Sequence, residues 1–250
     1  MRKIILVFAA GLLFVTTVVF AAVSPSLFTE ANAKYRAGDF KAAAGLYHKI
    51  IDTGRASGAV YYNLGNTVLR LNQKGEALLY YERALKASPR DRDLIWNIQV
   101  LKSTLSDRIE DVSPNPLLTP VKKILHRATL DEISFLFSGA LAVFTLLSLL
   151  GLLFPAARGF FGSLGTPAVF LMLVFGVSFG VKWFATKDPR AVVLDKEVTA
   201  YYGPSDKETK AFILHEGAEG KILDQSQDWV YISLKNKNTG WIRKNSCEII

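Results

Sequence analysis

Residues 61–89, YYNLGNTVLRLNQKGEALLYYERALKASP, indicate the fold of the first half of this chain. Its small residues recur at fixed distances from large ones, so that two helices can approach closely while large side chains fill the neighbouring holes. The same pattern occurs 34 residues earlier, with the matched pairs Ala31 and Gly65, Asn32 and Asn66, Ala43 and Ala77, and Tyr47 and Tyr81. This period predicts a repeated pair of helices.

The pattern Tyr61-x2-Leu64-Gly65, Ala77-x3-Tyr81, Ala84 and Pro89 resembles the tetratricopeptide repeat, a helix–turn–helix of 34 residues. The first unit departs from it, with Glu30 at the position of Leu64 and no terminal proline. Two repeats are fewer than the three that usually close a stack, and residues 94–98 keep the register. We therefore expect an all-α repeat solenoid with a capping helix over residues 22–112, followed by a linker at 113–132.

The first residues are typical of an export signal. Met1-Arg2-Lys3 is basic, residues 4–20 are apolar apart from two threonines, and Val19-Phe20-Ala21 ends the segment with residues that suit signal peptidase. This predicts a signal peptide over residues 1–21, cleaved after Ala21. The alternative is an uncleaved membrane anchor, and in both cases the following residues are exported.

Two later apolar segments predict a transmembrane helical hairpin over residues 133–184. Residues 133–154 carry no charge and are long enough to cross a hydrocarbon core of about 30 Å. A second run covers about 166–184, after a break at Pro155 and a turn expected at Gly162-Ser163-Leu164-Gly165. Gly176-x3-Gly180 indicates close helix packing, most simply within the hairpin. The alternative, a pair of buried core helices, lacks the expected polar stripe.

The export signal places both flanking soluble regions outside the cytoplasm, since a hairpin returns the chain to the side it came from. The positive-inside rule fits this orientation poorly, because Lys122, Lys123 and Arg127 precede the first span and only Arg158 lies in its turn. The net charge of +8 lies mostly in the signal and near the spans. We therefore expect no nucleic-acid partner.

Short alternating segments after residue 190 predict strands at about 198–202, 212–214, 221–223, 228–234 and 239–242. Their landmarks resemble bacterial SH3 domains: Tyr202-Gly203-Pro204-Ser205, Glu216-Gly217, Trp229-Val230 and Gly240-Trp241-Ile242. The resemblance implies a small all-β SH3-like barrel over residues 191–250, of a kind found on cell-wall and envelope proteins.

The order of signal peptide, repeats, membrane hairpin and barrel resembles the BatE-type proteins of the bacterial aerotolerance (Bat) cluster. That resemblance implies a multidomain protein of the bacterial inner membrane whose soluble domains face the periplasm or exterior. It also implies as companions membrane proteins with von Willebrand A domains and a MoxR-type AAA ATPase.

The sequence contains little that indicates catalysis. His48, His126 and His215 are far apart and lack neighbours at metal-ligand spacing, and Cys247 is the only cysteine. The chain has no glycine-rich phosphate-binding motif. We expect a protein that is not an enzyme and uses no cofactor and no metal.

The first helix of each repeat carries the candidate binding residues. Asn32 and Arg36 are four residues apart and share a helix face, and Asn66 and Arg70 repeat the pair, with Asn63 one turn before. An amide can bind a peptide backbone and a guanidinium suits a carboxylate, which resembles the carboxylate clamp of some repeat proteins. The alternative is that these side chains are merely solvated.

Two function hypotheses result from these observations. In the first, the repeats recruit a partner protein or peptide and the protein is a membrane-anchored envelope adaptor. In the second, the barrel is the primary site and the protein senses the cell wall.

Overall fold

The computed structural model describes residues 25–54, 56–107, 128–186 and 189–250. The predicted signal peptide and most of the predicted linker lie outside these residues. The first described region consists of the helices α1 (Pro25–Arg36), α2 (Phe40–Asp52), α3 (Gly58–Arg70), α4 (Lys74–Ala87) and α5 (Arg92–Ser103). The predicted repeat of helix pairs is confirmed, and α5 occupies the place of the expected capping helix.

Close helix contacts result from the small residues of the repeat. Ala43 and Ala77 are fully buried, and a methyl group on Gly65 would lie 2.6 Å from the ring of Tyr81. Tyr47 and Tyr81, which are equivalent in the two units, are both completely enclosed. The alternation of small and large side chains therefore sets the distance between the two helices of each unit.

Two long apolar helices come next, α6 (Leu130–Leu153) and α7 (Arg158–Thr186), joined by a 3-10 turn at Pro155–Ala157. Both are long and apolar enough to cross a membrane, and only 6% and 11% of their most apolar windows are buried within the protein. The 24 residues of α6 extend about 36 Å. The predicted pair of apolar helices is confirmed.

Two details of the hairpin differ from the sequence-based expectation. Residues 162–165 form no turn, because α7 runs continuously from Arg158 through Pro167. The hydroxyl of Ser163 donates to the Phe160 carbonyl, which satisfies it inside the helix. Gly176 lies against the ring of Phe137 in α6, whereas a methyl group on Gly180 would meet nothing within 4 Å. Only the first glycine of the pair serves the hairpin contact.

The C-terminal region, residues 189–250, is called the sheet domain below. It is one antiparallel sheet in the order β3-β2-β6-β5-β4-β1-β7. Its strands are β1 (Arg190–Val193), β2 (Glu197–Tyr201), β3 (Lys210–His215), β4 (Glu219–Ser226), β5 (Trp229–Ser233), β6 (Thr239–Arg243) and β7 (Cys247–Ile249). The five predicted strands are present, and β1 and β7 have no counterpart in the sequence-based prediction.

The alternation of β5 separates the two faces of the sheet. Val230 and Ile232 are buried in the core with Ile242 of β6, while Tyr231 between them points to the opposite face. The sheet domain packs on α4 and the end of α5, and its core lies beside that of the repeats.

Candidate partner-binding groove

The amides predicted to bind a partner hold the repeats together in this structure. The hydroxyl of Tyr47 donates to Oδ1 of Asn32, and Tyr81 donates to Asn66 in the same way, both over 2.6 Å. Burial raises the pKa of Tyr81, so its hydroxyl stays protonated and needs this acceptor. Packing therefore requires a hydrogen-bond acceptor at these two positions, and removing it would remove a tertiary contact.

The amides also connect neighbouring units. Nδ2 of Asn63 in α3 donates to Oδ1 of Asn32 in α1 over 2.9 Å. One unit later, Nδ2 of Asn97 in α5 donates to the hydroxyl of Tyr62 over 2.8 Å. Among the described residues, Nδ2 of Asn32 and Nδ2 of Asn66 have no hydrogen-bond partner, and both residues are partly buried. Each unit thus keeps one amide N–H group that can donate a hydrogen bond to a peptide carbonyl.

The two predicted arginines are both exposed, one unit apart. Arg70 places its guanidinium carbon 5.0 Å from the ring centroid of Phe40, a cation–π contact that orients the side chain. Arg36 takes the corresponding position at the end of α1. Their charge remains accessible, so they meet the steric condition for binding a carboxylate.

A row of aromatic residues, absent from the site residues predicted from the sequence, lies in the same register. Phe28, Tyr62 and Trp96 are 34 residues apart, on α1, α3 and α5. The first two pack on second-helix tyrosines, with ring centroids 6.2 Å from Tyr47 and 5.9 Å from Tyr81. Continuing the 34-residue register in both directions would have found the row.

Trp96 is the exception in this row, because 65% of it is exposed. No second helix of a third unit covers it in the part of the chain that the structure describes. Val100, one turn later and at the position equivalent to Asn66, is 44% exposed. The groove is thus polar along α1 and α3 and apolar at α5. We call the surface formed by these first helices the repeat groove.

A second candidate surface lies on the outer face of the sheet domain. Its aromatic face consists of the rings of Tyr201, Trp229, Tyr231 and Trp241. The rings of Tyr231 and Trp241 stack with centroids 5.0 Å apart, and Arg243 covers Trp229 at 4.4 Å while pairing with Asp206. These side chains make ring, cation–π and ion-pair contacts with one another, as expected of a cluster that stabilises a sheet.

Comparison with known proteins identifies one segment of the chain. The family profile of the tetratricopeptide repeat matches residues 58–91, which confirms the second predicted unit. No curated protein matches the chain. One solved structure that resembles it is an NlpC/P60 family protein from Bacillus cereus ATCC 10987, with 22% identity and a TM-score of 0.22. The match covers 26% of this chain and 21% of that protein, so this chain spans about a fifth of its length.

Proposed function

We propose that this protein is a membrane-anchored adaptor, without enzymatic activity, that binds a partner protein through the repeat groove. The observation that supports this most is the shared register of amides, arginines and aromatic rings on α1, α3 and α5. Tetratricopeptide repeats build extended concave surfaces that bind other proteins, and the matched segment lies at the centre of this groove.

The chemistry of the groove favours an extended peptide. The free amide donors of Asn32 and Asn66 suit main-chain carbonyls, and Arg36 and Arg70 suit an acidic side chain or a terminal carboxylate. The exposed ring of Trp96 suits an apolar side chain of the partner, since exposed tryptophans at interfaces often contribute most of the binding energy.

The hairpin supports the anchoring part of the proposal. Helices α6 and α7 expose large apolar side chains around most of their length, which suits lipid better than water. Arg90 in the α4–α5 loop pairs with Glu132 in the first turn of α6, so the repeats lie directly at one end of the hairpin. The partner would therefore be bound close to the membrane surface.

Orientation and partner identity rest on the sequence resemblance. With the export signal setting the topology, repeats and sheet domain lie in the periplasm or exterior. The Bat-type resemblance makes membrane proteins with von Willebrand A domains the first partners to examine.

The test is to purify the full-length protein from native membranes as three single variants, Trp96→Ala, Arg70→Ala and Tyr202→Ala, and to compare the proteins that co-purify. Tyr202→Ala is the matched control. Tyr202 is 68% exposed on the sheet domain, close to the 65% of Trp96. We expect the co-purifying protein to be lost from the groove variants and retained by the control. Retention of the same partner by both groove variants would contradict the groove assignment.

The alternative is a cell-wall sensor that uses the SH3-like sheet domain as its primary site. The aromatic face is the observation in its favour, because aromatic rings with a polar rim are common in ligand sites. Binding of purified wall material by the full-length protein, lost in Trp241→Ala and unaffected in Trp96→Ala, would favour this alternative over the adaptor.

A further inference from the structure

Strand β1 contributes to two hydrophobic cores at once. Ala191 and Val193 point into the core of the sheet domain. Val192 between them is fully buried and belongs to the core of the repeat helices, where Leu194 and Ile250 also pack. Apolar contact therefore runs without interruption from the repeats into the sheet domain.

Four charged side chains meet at the same boundary, Glu82 and Lys102 from the repeats and Arg190 and Glu219 from the sheet domain. Nζ of Lys102 lies 2.7 Å from Glu82 and 2.9 Å from Glu219, and Arg190 lies 3.6 Å from Glu82. The two carboxylates are only 7% and 10% exposed, so each needs nearby cations. Each receives one from the other side of the boundary, which specifies a single docked arrangement.

The pKa of Glu82 agrees with this arrangement. Burial by itself would raise the pKa, but Lys102 and Arg190 outweigh it and hold the carboxyl below its ordinary range. The carboxylate is thus charged when docked, and one of its two cations comes from the sheet domain.

The backbones of the repeats and the sheet domain lie close together at Gly75, in the first turn of α4. A methyl group there would lie 2.6 Å from the carbonyl oxygen of Val193 and 3.2 Å from Cα of Leu194. Glu216 of the sheet domain places a carboxylate 3.5 Å from the Gly75 amide, where the helix dipole favours a negative charge.

Strand β7 is held from the opposite end of α4. The guanidinium of Arg83 donates to Glu248 over 2.6 Å and to the Ile249 carbonyl over 2.8 Å. Lys86 donates to the carbonyl of Ile250 over 2.9 Å. Both ends of α4 therefore contact the sheet domain, and these contacts involve none of the groove residues.

We propose that the sheet domain is the capping unit of the repeat stack, docked permanently on α4 and α5. The residues that the structure describes hold two units and one further helix, fewer than the three units that usually close a stack, and β1 with β7 covers the outer side of α4. Because this cover lies on α4 and the C-terminal end of α5, away from Trp96 and the other groove side chains, the repeat groove stays open. The groove and the sheet domain then move as one body on the hairpin, whichever of them binds the partner.

The experiment is hydrogen exchange on the full-length protein in detergent micelles, comparing Gly75→Ala with Gly45→Ala. Both replace a helical glycine by a better helix former, but a methyl group on Gly45 meets nothing within 4 Å. We expect Gly75→Ala to raise exchange about tenfold in α4 and also in β1 and β7, because separating the surfaces uncovers all three. Gly45→Ala should leave those segments unchanged.

Two results would overturn the proposal: exchange in Gly75→Ala that matches Gly45→Ala, or faster exchange confined to α4. If Gly75→Ala does not fold, hydrogen exchange in Arg83→Ala replaces it as the test. This variant removes the hydrogen bonds from Arg83 to Glu248 and to the Ile249 carbonyl without adding atoms. Faster exchange at Cys247–Ile249 in Arg83→Ala, with α1 and α2 unaffected, supports docking. Unchanged exchange there refutes it.

Discussion

Replacing Gly65 by alanine should destabilise the repeats even though alanine is the better helix former. The added methyl group would lie 2.6 Å from Cδ1 and 2.7 Å from Cε1 of Tyr81, and 3.3 Å from the Ala77 carbonyl oxygen. Tyr81 has no free space, because it is 1% exposed and its hydroxyl is fixed on Asn66. Relief of the clash therefore has to move the ring and stretch that hydrogen bond.

Whether Gly65→Ala stabilises or destabilises the repeats depends on the relative size of three free-energy contributions. Helix propensity favours alanine by about 1 kcal/mol. Overpacking costs about 1–3 kcal/mol, and a buried hydroxyl that loses its acceptor costs a further ~1–3 kcal/mol. With mid-range values for both costs we expect a net loss of about 3 kcal/mol, which for a chain of this size lowers the melting temperature by roughly 6–12 °C.

The assay is thermal unfolding of the full-length protein in micelles, followed by helical circular dichroism. Gly45→Ala is the matched control and should raise stability by about 0.5–1 kcal/mol, because its site is exposed and open. Gly65→Leu should lower stability further than Gly65→Ala. A Gly65→Ala protein as stable as Gly45→Ala would refute the assignment of Gly65 to a close helix contact.

Three further predictions concern topology, the amides and pH. A reporter that is active only after export, fused after Ile250, should be active, and a cytoplasmic signal would contradict the proposed orientation. Asn66→Ala should lower the melting temperature, since the buried Tyr81 hydroxyl loses its acceptor at a cost of about 1–3 kcal/mol, whereas a purely solvated amide would leave folding unaffected. The carboxylate of Asp107 accepts a hydrogen bond from the backbone amide of His215 over 2.7 Å and lies 2.9 Å from Nδ1 of its ring, which raises the pKa of that histidine. The contribution of this ion pair to folding stability should be complete below about pH 6.5 and lost as pH rises through the raised pKa of His215. Melting curves across this range should therefore differ between wild type and Asp107→Asn.

The chemistry of the repeat groove could be predicted only in part. The sequence shows that Asn32 and Asn66 recur, because recurrence is a property of spacing. It does not show that their oxygens accept from Tyr47 and Tyr81, 15 residues later in each case, because that depends on how the two helices of a unit face each other. Trp96 keeps the register in the sequence, but its exposure is not encoded there, since exposure depends on which elements lie beside α5 in space.

Elements with a local signal can be predicted from the amino-acid sequence alone. A 34-residue period of small and large residues specifies paired helices, apolar runs specify α6 and the part of α7 from about residue 166, and period-two alternation specifies the central strands. The contact between the repeats and the sheet domain, by contrast, could be found only in the folded structure. Arg190–Val193 shows no alternation because it faces two cores, and Lys102 meets Glu219 across 117 residues of chain. No local pattern encodes such a contact, because its partners become neighbours only after both units have folded.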